Sequence, residues 1–180
     1  MLALTTNEAA ALTGLDERVV RKDVEQGVVQ TTTPPRFAEG ALVYFCARAV
    51  FAFSLSSKDR RRLYKLISEA MEAREPTLDL GPGWSLDLSA IEAELGRRLA
   101  AFDAWKSTLV QDDRVLGGEP VFRDSRLAVR HVGQMLRRGA DPGEILDDYP
   151  YLTEQDLDFA RWYTTAYPRI GRPRAQAASR

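Results

Sequence analysis

The chain has 180 residues, enough for one or two small domains. Hydrophobic residues make up 44% and charged residues 28%, an ordinary globular balance that argues against global disorder. The formal net charge is −1, so the molecule as a whole gives no electrostatic sign of a nucleic-acid partner, and the distribution of charge has to be read instead.

Residues 5–25 predict two short helices joined by a tight turn. Thr5 and Glu8 have the spacing of a capping box. Gly14 breaks the first helix and permits the positive φ of a turn. Asp16 caps the second, which carries Val19, Val20 and Val24 on one side and Arg18, Arg21 and Lys22 on another; Gly27 stops it. This is the pattern of a helix-turn-helix. Arginine can hold a guanine edge with two hydrogen bonds, and lysine or threonine can hold phosphates. Thr6, Arg18, Arg21 and Lys22 are therefore the candidate DNA contacts. A plain helical hairpin with solvated charges is the alternative reading. The acids Asp16, Glu17, Asp23 and Glu25 imply weak binding per copy, and hence a homodimer.

Residues 28–33 are β-prone and lead into Pro34-Pro35 and Phe37, which predicts a small wing or hairpin. Residues 38–55 predict an apolar helix. A further helix runs from Ser57 to about Arg74, with Leu63, Leu66, Ile67 and Ala70 on one face and Lys58, Arg60, Arg61, Arg62 and Lys65 in its first turns. Residues 77–80 and 84–88 alternate around Gly81-Pro82-Gly83, a β-hairpin pattern. A helix from Ser89 presents Ile91, Leu95, Leu99 and Phe102. The hairpin and this helix are the candidate dimer material, with Trp84 and Trp105 partly buried between copies. Residues 109–114 are polar and irregular and mark a domain boundary.

After that boundary, residues 120–122 and 127–129 are short extended pieces around Asp124-Ser125. Three short helices come next. The first spans about 130–138. The second has Asp141 as cap and Pro142 at its first position; the third has Thr153 as cap and Asp156 three residues on. Three helices with two tight turns are similar to a homeodomain-type unit. From 141 to 158 there are carboxylates and no Lys or Arg; from 161 to 180 there are arginines and no acid. Blocks of this kind mark interaction surfaces or solvated faces.

No apolar run approaches the roughly 18 residues that cross a bilayer. Residues 1–8 lack a signal-peptide pattern, and Cys46 is the single cysteine, so a reducing, cytoplasmic home is expected. With His131 as the only histidine, a multi-histidine metal site is excluded. Neither zinc spacing nor a phosphate loop is present, and no nucleophile has a base beside it. The chain is read as a non-enzyme without cofactor or metal.

The segment Thr5-Thr6-Asn7-Glu8-Ala9-Ala10 through Gly14, with Val19-Val20-Arg21-Lys22 and Glu25-Gln26-Gly27, resembles the start of MerR-like and excisionase-like winged helix-turn-helix domains. A longer run of matches lies in the C-terminal half: Leu116-Gly117-Gly118-Glu119-Pro120-Val121-Phe122-Arg123, Ser125-Arg126-Leu127-Ala128-Val129, Leu136-Arg137-Arg138-Gly139, and Glu144 through Thr153. It resembles the small antitoxin domain, long catalogued as a domain of unknown function, that is encoded beside PIN-like ribonuclease toxins. Members with an added helix-turn-helix are VapB-type antitoxins. The sequence departs from the family at Asp124, where Gly is usual, and at Ala128, where Pro is common.

The resemblance implies a mainly α protein with four parts: a winged helix-turn-helix over 1–55, a helical and hairpin dimerisation region over 56–109, a trihelical antitoxin unit over 110–166, and an extended, arginine-rich tail over 167–180. It implies an antitoxin that inhibits a cognate PIN-like toxin and represses its own operon. Trp162, Tyr163 and Tyr167 would be aromatic anchors on the toxin, and Arg169, Arg172 or Arg174 would enter its carboxylate cluster as a bidentate guanidinium. The alternatives are a stand-alone MerR-like transcriptional regulator and a nuclease accessory protein with no DNA role.

Overall fold

Local capping decides where the first helices begin and end. The structure, a computed structural model, describes residues 4–51, 53–109 and 118–168. In α1 (Thr6–Thr13) the Thr5 hydroxyl accepts from the Glu8 N–H at 3.3 Å and the Glu8 carboxylate accepts from the Thr5 N–H at 2.9 Å. Gly14, at φ 75°, closes the helix in the left-handed region. Asp16 then accepts from the Arg18 N–H at 2.8 Å and opens α2 (Glu17–Glu25).

The β-prone run at 28–33 forms no strand, so the expected hairpin is a loop. Val28 and Val29 are buried, which uses their β-branched side chains as core. Pro34 and Pro35 have no N–H to donate to a ladder. The Thr31 hydroxyl closes the loop instead, accepting from the Arg36 N–H at 2.9 Å and donating to the Arg36 carbonyl at 3.0 Å.

Beyond the loop lies α3 (Glu39–Val50). It is shorter than the predicted 38–55, because the chain must be extended by Ser56, whose hydroxyl accepts from the Asp59 N–H to cap α4 (Ser57–Ala73). β1 (Thr77–Gly81) and β2 (Trp84–Asp87) form the expected antiparallel hairpin, with Leu78 opposite Leu86. Asp87 caps the long α5 (Leu88–Thr108). Further on, Val121 bridges Ala128 around Asp124, which adopts φ 57°. Then come α6 (Val129–Arg137), α7 (Pro142–Asp148) and α8 (Glu154–Ala166). The molecule is mainly α, with one two-stranded sheet among the described residues.

Two apolar clusters share α1. Ala9 and Ala10 face the first, with Phe37, Leu42, Tyr44, Phe45 and Ile67. Ala11 and Leu12 face the second, with Phe102, Val129, Val132, Leu157 and Phe159. The run of alanines lets α3 and α8 approach α1 closely from opposite sides. The predicted boundary lies largely outside the described residues. Of the helices beyond it, α8 packs on α1, and α5 contributes Phe102 to the second cluster. Trp105 is half-buried there too, stacked on Phe159 at 5.5 Å. Within this half, α6 lies hard against α8. A Cβ at Gly133 would sit 2.0 Å from the Thr164 hydroxyl and 2.4 Å from the Ala160 carbonyl.

Candidate nucleic-acid and partner interfaces

In α2 the charged residues sort onto two faces. Arg18, Arg21 and Lys22 are exposed and succeed one another at helical spacing, one surface ridge. Glu17 pairs with Arg21 on that ridge. Thr6, the other sequence-derived DNA candidate, is half-buried at the first position of α1.

Asp23 lies on the opposite face and is fully buried. It therefore does not oppose an anion at the ridge, as its place among the acids of the helix implied. Its carboxylate is shared by Arg48 of α3 and Arg60 of α4, and it accepts from the Tyr44 hydroxyl at 2.9 Å. Burial, together with the Asp23 carboxylate, pushes the Tyr44 phenol well above its ordinary range. Arg60 also donates to the Gln26 side chain at 2.6 Å and the Ser57 hydroxyl at 3.0 Å. The group locks the back of α2 to α3 and α4, so the ridge is presented by a fixed helix.

Arg60 is thus lost to the basic start of α4, but its neighbours stay outside. Lys58, Arg61, Arg62 and Lys65 are exposed at i, i+3, i+4 and i+7. Arg61 donates to the Gln26 carbonyl at 2.7 Å, which sets this stripe against the C-terminal end of α2. The spacing was visible in the sequence; the junction with α2 was not, because it depends on tertiary packing.

The aromatic residues expected as partner anchors lie in α8 and just after it. Tyr163 is 8% exposed and packs on Phe159 and Tyr167. The Arg130 guanidinium sits 5.6 Å from its ring, donates to Glu119 at 2.7 Å and also holds the Tyr167 carbonyl. Tyr167 stacks on Phe102 and donates its hydroxyl to the Glu8 carboxylate at 2.6 Å. The structure thus buries Tyr163 and half-buries Tyr167 in contacts within the chain. Trp162 is half-buried beside them. Arg169, Arg172 and Arg174 lie outside the described residues.

Glu8 consequently does two jobs. It completes the α1 capping box and receives Tyr167, with Lys106 of α5 at 3.5 Å. Burial pushes its carboxyl up, but the Thr5 N–H, the Tyr167 and Thr5 hydroxyls and the Lys106 ammonium outweigh it and hold the group below the ordinary glutamate range. Burial also raises the Cys46 thiol to about 11, which keeps it protonated and unreactive. Among the described residues no group of His, Cys, Asp and Glu could hold a metal ion. Among them, too, no helix is long and apolar enough to cross a membrane.

Residues 109–164 match the family model described as "Protein of unknown function (DUF433)". The match covers α6, α7 and most of α8, the part that carries the antitoxin-domain resemblance. Over nearly its whole length the chain is also similar to the uncharacterized protein y4eO of Sinorhizobium fredii, at 27% identity, spanning 95% of this chain and 84% of that protein. The likeness therefore takes in α1 to α5 as well. No solved structure matches.

Proposed function

We propose that this chain is a VapB-type antitoxin: its α1–α2 helix-turn-helix binds operator DNA as a pair of copies, and its C-terminal half holds a cognate PIN-like ribonuclease toxin inactive. The observation that carries the reading is a pairing within one chain. An exposed ridge of Arg18, Arg21 and Lys22 on α2 stands on a buried lock, and the segment that matches the DUF433 model lies C-terminal to it. An antitoxin that represses its own operon needs both. The protein acts by binding, not catalysis, and takes no cofactor.

In this reading the N-terminal half works as a winged helix-turn-helix, with the 28–37 loop as the wing and α2 entering the major groove. The three helices α6 to α8 form the trihelical antitoxin unit. Because Tyr163 and Tyr167 brace α8 from inside, their part in toxin binding is to shape the surface that Trp162 and the tail arginines offer. Arg169, Arg172 or Arg174 then supplies the guanidinium for the nuclease carboxylates.

Arg21→Ala/Lys22→Ala tests the DNA half. Both side chains are exposed, so the fold should be unchanged. Each good base contact is worth about 1–3 kcal/mol. The double variant should therefore lose operator binding in a gel-shift titration while still co-purifying with the toxin. Unchanged affinity would move the DNA site off α2.

A further inference from the structure

We infer that two copies of this chain pair through a cleft formed by the loop after α3, the middle of α4 and the β-hairpin. Phe53 and Trp84 are large apolar side chains left 54% and 59% exposed. They are not scattered: Phe53 meets Trp84 edge to face at 6.3 Å, and Phe51 meets Phe53 at 5.4 Å. Together with Leu66 of α4 they line a cleft of about 570 Å³. Exposed apolar surface gathered in this way marks a surface that is covered in use.

The charges at the cleft identify what covers it. Asp59, Arg62 and Asp79 line it, and Asp59 is engaged at the start of α4 by the Ser56 hydroxyl. Arg62 makes no ion pair among the described residues, and Asp79 uses one oxygen to cap the Gly81 N–H at 2.8 Å. A surface carrying one sign alone calls for a different molecule of the opposite sign. This one carries both signs, as well as an indole 59% exposed on the wall of the cleft. Under a two-fold axis, residue i of one copy meets residue j of the other and j meets i. Trp84 of each copy then packs into the cleft of the other, and Arg62 faces Asp79 across the axis. A second copy satisfies shape and charge at once. This face would join the pair of copies that the proposed function requires. Pairing through it needs neither DNA nor toxin, so the two can fail separately.

The test is sedimentation equilibrium of the purified full chain, without DNA or nuclease. At tens of micromolar the wild type should run at twice the 20.2 kDa of one chain. Trp84→Asp and Phe53→Asp should each run as monomers with an unchanged far-UV circular dichroism spectrum, since both side chains are more than half exposed, and with a melting temperature that no longer rises with protein concentration. Arg62→Asp sets two aspartates against each other at both symmetry-related places and should weaken pairing at least tenfold. Arg62→Asp/Asp79→Arg should recover most of it, which no general loss of fold would do. A wild-type monomer at about 100 µM overturns the inference, as does a Trp84→Asp protein that remains a dimer. A dimer that behaves as predicted but binds no operator leaves this face intact and sinks only the DNA reading.

Discussion

Asp23→Ala should be among the most damaging single changes in the N-terminal half, although the residue touches no ligand surface. The carboxylate is fully buried and serves two guanidinium groups and a phenol. Its removal leaves Arg48 and Arg60 without their counter-charge. The Arg48 side chain is 18% exposed and can turn towards water; that of Arg60, at 5%, cannot. Breaking a buried pair from one side costs about 3–5 kcal/mol, a large part of the roughly 5–15 kcal/mol that holds a domain together. Arg60→Met should cost less, because Asp23 keeps Arg48 and Tyr44. The double variant Asp23→Ala/Arg60→Met should cost clearly less than the sum, since it removes both members of the most deeply buried pair, with a coupling of about 2 kcal/mol. Urea unfolding monitored by circular dichroism measures all three. An Asp23→Ala loss under about 1 kcal/mol, or simple additivity, would show that the lock does not hold α2.

Other contacts carry expectations of their own. Gly133→Ala drives a methyl into the Thr164 hydroxyl and the Ala160 carbonyl; overpacking of this kind costs about 1–3 kcal/mol or more, and adding Thr164→Ala should restore little, because the backbone oxygen stays, as thermal melts of both variants would show. Glu8 is held below its ordinary pKa, so the stability it contributes is present above the unfolded-state value and lost as pH falls through the folded one. Between about pH 5 and pH 3 the wild type should lose more stability than Glu8→Gln, and parallel acid limbs would exclude the Glu8 network as their cause. Asp124 sits at φ 57°, a region glycine enters freely, so Asp124→Gly should be neutral or up to about 1 kcal/mol stabilising. A loss of more than that would mean the aspartate side chain does something its backbone angle does not require.

Much of this fold was legible because its signals are local. The Thr5–Glu8 box, Gly14, the Asp16 and Asp141 caps and the Gly81-Pro82-Gly83 turn each act within a few residues, and each stands where the pattern put it. Two local readings failed where tertiary packing decided. Val28 and Val29 went into the core instead of a strand, and α3 gave up its last turn so that Ser56 could cap α4. The candidate site divides the same way. The ridge of Arg18, Arg21 and Lys22 comes from helical spacing. The burial of Asp23, the withdrawal of Arg60 from the basic run and the use of Tyr167 to hold α1 all depend on residues distant in sequence, which no spacing rule reports.

The role of Tyr167 also fixes where the tail can be cut. Ending the chain after Tyr163 would remove Thr164, Ala166 and Tyr167 and so disturb the second cluster. Ending it after Pro168 removes Arg169, Arg172 and Arg174 and spares the contacts of Tyr167 with Glu8 and Phe102. The most direct test of the central claim is therefore to co-express the full chain, and the chain ended after Pro168, with the product of the adjacent reading frame, which the proposal requires to be a PIN-like nuclease. RNA cleavage by each purified complex is then assayed. An antitoxin whose tail arginine occupies the nuclease carboxylates predicts that both complexes form, that the full-length one is silent and that the shortened one cleaves RNA. If the full chain neither binds that nuclease nor silences it, the antitoxin reading is wrong.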